Sequence, residues 1–387
     1  MQISFAFAVK FLHHIRVNNM KKRLLKAIKI IGIISVVLLI VLIAAIFWSE
    51  NDKSVTKEFV KNENLSTIKN NWQGTPVDEK GRFVNHEFPY LPKTTDILKW
   101  TFGAHPQKQE KNDDKDRLEI KDPTEFLNSE TDGILWFGHA SFLIRLNGVN
   151  ILLDPVFGEP SFITRFVSSP SPIEKLKKVD FILISHDHRD HCDAATIEGL
   201  TKKFPAAKIL TGLKMNELIQ DWNSSKTEIQ TAGWYQQFKL PDDKIKISFL
   251  PSRHWSRRGL FDTNARLWGA FVIEGAGKTI YFSGDSGFGS HYKELAEIFP
   301  KIDFFIIGIG AYQPQFIMKP NHNTPSEAFQ GFLDSRADVL IPMHFGRFDL
   351  SDEPPSEPLR LLKEKAAEAN LAEKIKNLQI NESLAIN

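Results

Sequence analysis

The sequence predicts a mixed α/β fold, a four-layer αββα sandwich preceded by one N-terminal transmembrane helix, and three observations lead to this prediction. Short β-rich runs begin near residue 131 and continue through two successive halves of the remaining chain. Each half also contains helical stretches that can cover one face of its strands, so two sheets would pack together between helices. A nineteen-residue apolar run stands near the N-terminus.

The apolar run Ile30–Trp48, interrupted only by Gly32 and Ser35, predicts a membrane-spanning helix or signal anchor, since about twenty such residues cross a bilayer. Seven basic residues and no acidic residue precede it, which predicts a cytoplasmic N-terminus and a body on the outer, periplasmic or extracytoplasmic side. A cleaved signal peptide is the alternative, but the run is longer than a usual signal core and no clean cleavage site follows. Met20 is an alternative start to Met1.

The chain divides into four predicted parts: a basic segment 1–29, the transmembrane helix 30–48, a polar arm 49–130 that packs on the body, and a single domain 131–387. Without the seven basic residues of the first part, 42 basic residues face 47 acidic ones, a net charge near −5. A mildly acidic body argues against a nucleic-acid-binding face. The one cysteine, Cys192, excludes an internal disulfide.

The elements of the first half of the domain are read from short apolar runs and turn signals. Asn147-Gly148 lies between two runs and predicts a β-hairpin. The predicted strands are Ile134–Phe137, Ser141–Leu146, Val149–Leu153, Phe181–Ser185 and Lys208–Leu210, with a helix at Ala194–Phe204.

The second half repeats this style. The predicted strands are Lys244–Leu250, Ala270–Glu274, Thr279–Ser283, Phe304–Ile307 and Val339–Met343, with a last short strand near Lys376–Ile380. The predicted helices are Tyr292–Phe299, Pro325–Asp334 and Glu357–Asn370.

Ser185–Asp193 is the stretch that points to chemistry, because it contains His186, His188, Asp190 and His191. Side chains alternate in an extended segment, so the first two histidines point the same way and can hold one ion. The last two residues follow a turn and can face a second ion. Imidazole and carboxylate suit zinc, or less often iron or manganese. The alternative is a polar surface turn.

Three further candidates stand just after later apolar strands, where loop-borne sites are usually built: His254, Asp285 and His344. Each alone could be a capping or turn residue. The two ions then share seven ligands: His186, His188 and His254 for the first, Asp190, His191 and His344 for the second, with Asp285 bridging. This assignment leaves room for a hydroxide between the ions, which two metals activate and orient for hydrolysis of a phosphodiester or other ester-like bond.

The metal motif resembles that of the metallo-β-lactamase fold superfamily. The sequence is more narrowly similar to N-acylphosphatidylethanolamine-hydrolysing phospholipases D and their bacterial relatives. The similar segments, in the same order, are Trp136–Ser141, Leu153–Phe157, His254–Asp262, Leu267–Gly269, Gly308–Pro314 and His344–Gly346. The resemblance implies an αββα hydrolase domain with two zinc ions, cleaving a phospholipid on the head-group side of its phosphate.

The resemblance also implies a role for His322, since Met318–His322 matches a Met-Lys-x-x-His context in which the family has a histidine near the substrate. We predict that His322 contacts phosphate or handles a proton, and that Asp190 and His322 are the catalytic residues. The alternative for His322 is a position at the start of a helix. The animal enzymes lack a spanning helix and the arm matches only weakly, so the lipid stays undetermined.

Other residues are assigned by their chemistry. Arg257 and Arg258 can bind a phosphate through their guanidinium groups. One of them is expected to be a salt-bridged scaffold residue, and Arg257 is the predicted substrate contact. Phe157 either contacts acyl chains at an apolar lip or packs in a small core under its loop. Asp193 is predicted to orient a ligand imidazole, and His139 to support or pack against the site.

Three functions compete. The first is a membrane-anchored zinc hydrolase of a phospholipid, and the second is a lactonase or small-molecule phosphodiesterase that uses the same site. The third is a non-catalytic, metal-stabilised membrane scaffold, which the complete ligand set disfavours because structural zinc is usually closed by four ligands. The sequence leaves the oligomeric state and the natural substrate open.

Overall fold

The computed structural model describes residues 21, 24–35, 58–85, 87, 92–160, 163–168, 172–223 and 225–386. The chain divides into two units, Met1–Lys53 and Ser54–Asn387. In the first unit, residues 24–35 form helix α1. None of the helices in the described ranges combines the length and the apolar character that a membrane crossing needs. Residues 36–48 of the predicted transmembrane helix lie outside the described residues.

The second unit is built from short strands and helices. Its strands are β1 (Glu58–Val60), β2 (Ser66–Thr67), β3 (Thr75–Val77), β4 (Gly133–Gly138), β5 (Ser141–Leu146), β6 (Val149–Leu153), β7 (Thr164–Arg165), β8 (Phe181–Ile184), β9 (Lys208–Gly212), β10 (Ile229–Ala232), β11 (Gln236–Gln237), β12 (Ile245–Leu250), β13 (Ala270–Gly275), β14 (Lys278–Phe282), β15 (Phe304–Gly308), β16 (Val339–Met343), β17 (Phe348–Asp349) and β18 (Glu382–Ala385). Its helices are α2 (Thr94–Phe102), α3 (Lys108–Asp113), α4 (Thr124–Asn128), α5 (Ala194–Lys203), α6 (Asn216–Ile219), α7 (His291–Ile298), α8 (Pro325–Ser335) and α9 (Glu357–Glu368).

Two seven-stranded sheets dominate this unit. The first has the order β10-β9-β8-β6-β5-β4-β18, and the second has the order β16-β15-β14-β13-β12-β11-β2. In each sheet an antiparallel part adjoins parallel strands, β6-β8-β9-β10 in the first and β14-β15-β16 in the second. The β5–β6 hairpin turns at Asn147 and Gly148, both with positive φ, as the two-residue turn of a tight hairpin requires.

The alternation of side chains along β4 shows the layers. Ile134 and Trp136 belong to the core that also contains the strands of the second sheet. Leu135 and Phe137 belong to a separate core together with Ile197 of α5. Since successive strand residues point to opposite faces, one face of the first sheet meets the second sheet and the other meets a helix.

Helices cover the outer face of the second sheet in the same way. Phe305 of β15 contacts Tyr292 of α7 and Phe332 of α8, with ring centroids 5.7 and 6.4 Å apart. The mixed α/β architecture with two facing sheets, which the sequence predicts, is therefore confirmed.

The C-terminal end of the domain differs from the prediction. The last strand is β18 at Glu382–Ala385, whereas residues 375 and 380 form only isolated bridges, to Leu340 and Ile120. Asn381, with φ 64, turns the chain before it pairs with β4. The residues near 376–380 are apolar enough to suggest a strand from sequence. The strand forms instead at Glu382–Ala385, because these residues pair with β4 at the edge of the first sheet.

The described part of the arm lies against the domain. Strand β2 extends the second sheet by pairing with β11. The Trp100 indole donates a hydrogen bond to Asp352 (3.0 Å), and the Ser356 backbone N–H donates to Asp114 (2.9 Å). The boundary predicted between residues 130 and 131 stays a prediction.

Candidate metal centre

Loops that follow strands of both sheets supply the candidate donors. The turn carrying residues 186–191 follows β8, and the positions 254, 285 and 344 follow β12, β14 and β16. The structure brings all seven predicted ligands together. Ligand atoms of His186, His188, His254 and Asp285 lie within 4.8 Å of one another, and those of Asp190, His191, His344 and His139 form a second such group.

The first group presents three imidazole nitrogens at short range. His188 Nδ1 lies 3.0 Å from His186 Nε2 and 3.0 Å from His254 Nε2. Zinc binds histidine nitrogen at about 2.0–2.1 Å, so the ligands of one ion lie within a few ångströms of one another. This spacing fits one shared cation.

The tautomers of these rings follow from their other nitrogen atoms. His254 donates its Nδ1–H to the Asn321 carbonyl (3.0 Å), which leaves a lone pair on Nε2. Ser185 uses its hydroxyl hydrogen on Asp154 (2.5 Å), so its oxygen accepts from His186 Nδ1–H (2.9 Å). His186 Nε2 is therefore also a bare lone pair. One hydrogen on His188 cannot satisfy both lone pairs, whereas a cation can.

Asp154 is the anchor of this arrangement. Its carboxylate accepts from the Ser185 backbone N–H (2.7 Å), from the Ser185 hydroxyl (2.5 Å) and from His191 Nδ1–H (2.7 Å). It thereby fixes the ring of His191 directly and that of His186 through Ser185. Carboxylate partners of this kind orient ligand imidazoles and raise their basicity.

The second group surrounds two carboxylates. Asp190 Oδ2 lies 3.5 Å from His191 Nε2 and 3.4 Å from His344 Nε2. Asp285 reaches both groups: Oδ2 lies 3.2 Å from His191 Nε2 and 3.7 Å from His254 Nε2, and Oδ1 lies 3.2 Å from His344 Nε2. The position of Asp285 between the groups fits its predicted bridging role.

The donor set fits a pair of divalent cations by a further observation. His191 Nε2, His344 Nε2 and Asp285 Oδ1 are buried and accept or donate no well-aligned hydrogen bond within the part of the chain that the structure describes. Buried polar atoms normally have partners, because an unpartnered one costs about 1–3 kcal/mol. Several such atoms directed into one cluster of imidazoles and carboxylates match the chemistry of a transition-metal site.

Electrostatics keeps the two carboxylates ionised. Burial raises the pKa of Asp190 and of Asp285, but the adjacent imidazoles, His191 above all, outweigh it and hold both pKa values well below the ordinary value. Burial lowers the pKa of His254 well below its usual range, so this ring is neutral at neutral pH. Burial lowers the pKa of His191 and of His344 as well, but the adjacent carboxylates, Asp285 above all, outweigh it, raising the pKa of His191 well above its usual range and that of His344 to about 9. A bound metal would displace a proton from each of these two rings, because the neutral imidazole is the form that binds metals.

His322 lies at the edge of the cluster. Its Nδ1 is 3.8 Å from Asp285 Oδ2, and its ring centroid is 5.2 Å from that of His254. Burial lowers the pKa of His322 to about 4, so the ring is neutral at neutral pH. The structure thus brings His322 to the predicted metal ligands, and its catalytic role stays a prediction.

The predicted substrate contacts have mixed surroundings. Arg257 is half-buried and donates its Nε–H to the Gly259 carbonyl (3.0 Å). Arg258 donates to the carbonyls of Asp187 (3.0 Å) and Cys192 (2.7 Å), which makes it the scaffold arginine of the pair. Phe157 is buried against Phe137, with ring centroids 5.2 Å apart. This packing gives Phe157 a core position, and its contact with substrate stays a prediction.

The prediction for Asp193 is wrong, because its carboxylate caps helix α5. It accepts from the backbone N–H (3.0 Å) and the hydroxyl (2.6 Å) of Thr196. Asp154 orients the imidazole instead, a role that sequence reasoning missed. The sequence carries a signal for this role, because Asp154 directly follows an apolar strand, β6. This strand lies beside β8, which precedes the turn with residues 186–191. His139 has a defined contact, with Nε2 2.9 Å from Asp190 Oδ2.

Comparisons with known proteins find a matching family profile and similar chains. The family profile described as a β-lactamase superfamily domain matches residues 149–345. The N-acyl-phosphatidylethanolamine-hydrolyzing phospholipase D 1 of Caenorhabditis elegans is 33% identical over 243 residues, covering 59% of this chain and 68% of that protein. The mitochondrial enzyme of the same name from Saccharomyces cerevisiae is 32% identical over 245 residues, covering 59% of this chain and 51% of that protein.

A solved structure gives a fold-level match. It is a metallo hydrolase from the archaeon Ignicoccus hospitalis, with a TM-score of 0.50 and 22% identity, covering 66% of this chain and 99% of that one. At this identity the likeness concerns the fold alone. The chain spans about two thirds of the nematode relative and about half of the yeast relative.

Proposed function

Since this chain belongs to the β-lactamase superfamily, in its N-acyl-phosphatidylethanolamine-hydrolysing phospholipase D-like branch, we propose that it is a membrane-anchored binuclear zinc hydrolase. Its proposed reaction is cleavage of a phosphodiester bond in a phospholipid such as N-acylphosphatidylethanolamine. The family is one of metal-dependent hydrolases. We propose a phospholipid substrate because the nematode and yeast relatives are named as phospholipases.

The single observation that supports this proposal most is the convergence of the Nε2 atoms of three imidazoles. His186, His254 and His191 each give their Nδ1–H to an acceptor and turn Nε2 toward the cluster. Asp285 stands between the two groups of ligands. Bound in these groups, two zinc ions would lower the pKa of a water molecule and draw charge from phosphate oxygens.

The chain's own residues supply orientation and proton handling. Asp190 and Asp285 hold negative charge at fixed positions beside the imidazoles. The neutral ring of His322 stands 3.8 Å from Asp285 and can hold a proton or donate to a phosphate oxygen. Arg257 donates its Nε–H to the Gly259 carbonyl. Its Nη groups can donate hydrogen bonds to a phosphate.

A lipid assay tests the proposal. The full-length chain, purified in detergent and loaded with zinc, is given N-acylphosphatidylethanolamine, ordinary phosphatidylethanolamine and a panel of lactones. We expect phosphatidic acid and an N-acylethanolamine from the first lipid, and loss of both products in His322→Gln with unchanged metal content. Turnover of lactones only would refute the phospholipid proposal. No turnover with two zinc ions bound would favour a scaffold.

We also propose that the chain is anchored by residues 30–48 with its catalytic domain on the outer side of the membrane. This proposal is supported by the apolar run and the seven basic residues before it. A reporter fused after Lys61 is expected to lie outside the cytoplasm. A cytoplasmic signal would overturn this topology without affecting the proposed chemistry.

A further inference from the structure

The histidines of the cluster differ in how their second nitrogen is held. His186, His191 and His254 each donate Nδ1–H to a protein acceptor: Ser185 Oγ, Asp154 Oδ2 and the Asn321 carbonyl. His344 Nδ1 is buried and has no such acceptor among the described residues. An imidazole that binds a cation through Nε2 carries its hydrogen on Nδ1, and this hydrogen needs a partner.

His139 has an unpartnered ring nitrogen that can act as the acceptor. It donates Nε2–H to the Asp190 carboxylate (2.9 Å), so the neutral ring has a lone pair on Nδ1. That Nδ1 is also buried, and no partner for it occurs in the ranges described. The rings of His139 and His344 lie side by side, with centroids 4.0 Å apart. The two rings that carry an unpartnered donor and an unpartnered acceptor are therefore neighbours.

Both rings line the same small cavity, of about 20 Å³. A water molecule needs at least about 10–15 Å³ and two to four polar partners. Glu353 also lines the cavity and is buried, with its carboxylate accepting from the backbone N–H groups of Ala311 (2.6 Å) and Gln313 (3.0 Å). A carboxylate in the lining disfavours an anion, and the Nδ1–H of His344 disfavours a cation. A neutral molecule of the size of water fits both constraints.

We propose that this cavity is a binding site for one ordered water molecule, which accepts from His344 Nδ1–H and donates to His139 Nδ1. The water closes a ring of contacts that runs from Asp190 through His139 and the water to His344. His139 is then a positioning residue that orients two ligands of the second ion. The inference rests on the proposed role of His344 as a ligand and goes beyond it.

A crystal structure of the zinc-loaded full-length protein tests the water directly. The expected density is one water within about 2.7–3.2 Å of both Nδ1 atoms. A dry cavity, or a protein acceptor on His344 Nδ1, in a map that shows ordered water elsewhere would overturn the proposal. This readout does not depend on any substrate, so an inactive but zinc-loaded protein that holds the water would refute only the proposed reaction.

Variants of His139 test the positioning role by metal binding. His139→Leu removes both ring nitrogens and is expected to weaken binding of the second ion about 10–100-fold, with the first ion unaffected. The visible absorption of the cobalt-loaded protein should change for the second site only. Wild-type affinity and spectrum in His139→Leu would contradict the proposal.

Two conservative variants keep the test informative if His139→Leu does not fold. His139→Gln carries an amide that can reach Asp190, and His139→Asn carries one that can reach the water and also tolerates the φ of 56° at this position. Each is expected to restore part of the affinity for the second ion, and failure of both to do so would refute the specific contacts. His105→Asn, at another histidine beside a carboxylate but outside the cluster, is the matched control.

Discussion

The two sides of the candidate metal centre differ in how their imidazoles are held. On the side of His186, His191 and His254, every second ring nitrogen has a protein acceptor. On the side of His139 and His344, both rings line a small cavity, and their Nδ1 atoms have no hydrogen-bond partner among the residues described. The rings of His186, His191 and His254 are held by protein alone, and those of His139 and His344 are completed by the water that we propose.

The difference follows from the origin of the segments. Asp154 and Ser185 follow adjacent parallel strands, β6 and β8, whose register pairs Leu153 with Leu183. Neighbouring strands of one sheet end close together, so their first loop residues can bond directly. His139 and His344 come from different sheets, on loops after β4 and β16. Strand register does not fix the distance between these two loops, and a cavity of the size of a water molecule that has polar partners can hold one.

The largest expected effect is the loss of the residue that both sides share. Asp285→Asn should abolish turnover and remove metal, because the carboxylate faces imidazoles of both groups. Metal content and lipid hydrolysis measure this. The control is Asp303→Asn, at a buried acid that accepts from Thr279 N–H away from the cluster. Full activity with unchanged metal in Asp285→Asn would refute the bridging role.

Asp154→Asn tests the side that protein alone holds. An amide cannot accept all three hydrogen bonds, so we expect a loss of about 3 kcal/mol in the free energy of unfolding of the metal-free protein. Metal affinity should also fall about 10–100-fold. Urea unfolding and competition titration measure the two effects. Ser185→Ala should cost less, because it releases only the ring of His186, and an equal cost would contradict the anchor role of Asp154.

Zinc binding should stabilise the two sides of the metal centre to different extents. At a free zinc concentration 100 times its dissociation constant, the native state gains about 2.7 kcal/mol. Hydrogen exchange should slow more in the backbone around His344 than around Ser185, because the side of His344 has fewer protein partners. Thermal unfolding and exchange with and without zinc give the comparison. Equal protection of both segments would argue against it.

The smallest expected effect concerns Asp193, which caps a helix and does not orient an imidazole. Asp193→Ala removes the cap of α5 and should lower the free energy of unfolding by about 1 kcal/mol. Metal affinity should not change, since Asp193 bonds Thr196 and no imidazole. A calorimetric titration with zinc decides this. Weaker metal binding in this variant would restore the role in orienting an imidazole.

The sequence by itself determined the elements and the types of donor. The runs at Ser141–Leu146, Val149–Leu153 and Val339–Met343 predict the strands with the observed bounds, because apolar periodicity is a local property. The candidate donors were also visible, since each stands just after such a run. Two-residue strands such as β7 and β11 could not be predicted, because they exist only through their partners.

Only the tertiary structure decided which polar residue supports which imidazole. Asp193 is next to the metal motif in sequence and caps a helix, whereas Asp154 is distant in sequence and holds His191. The cavity that His139 and His344 help to line brings together residues that follow strands of two different sheets. Hydrogen bonds and cavities depend on how strands end and how sheets pack, and these long-range arrangements leave no periodic signal in the chain.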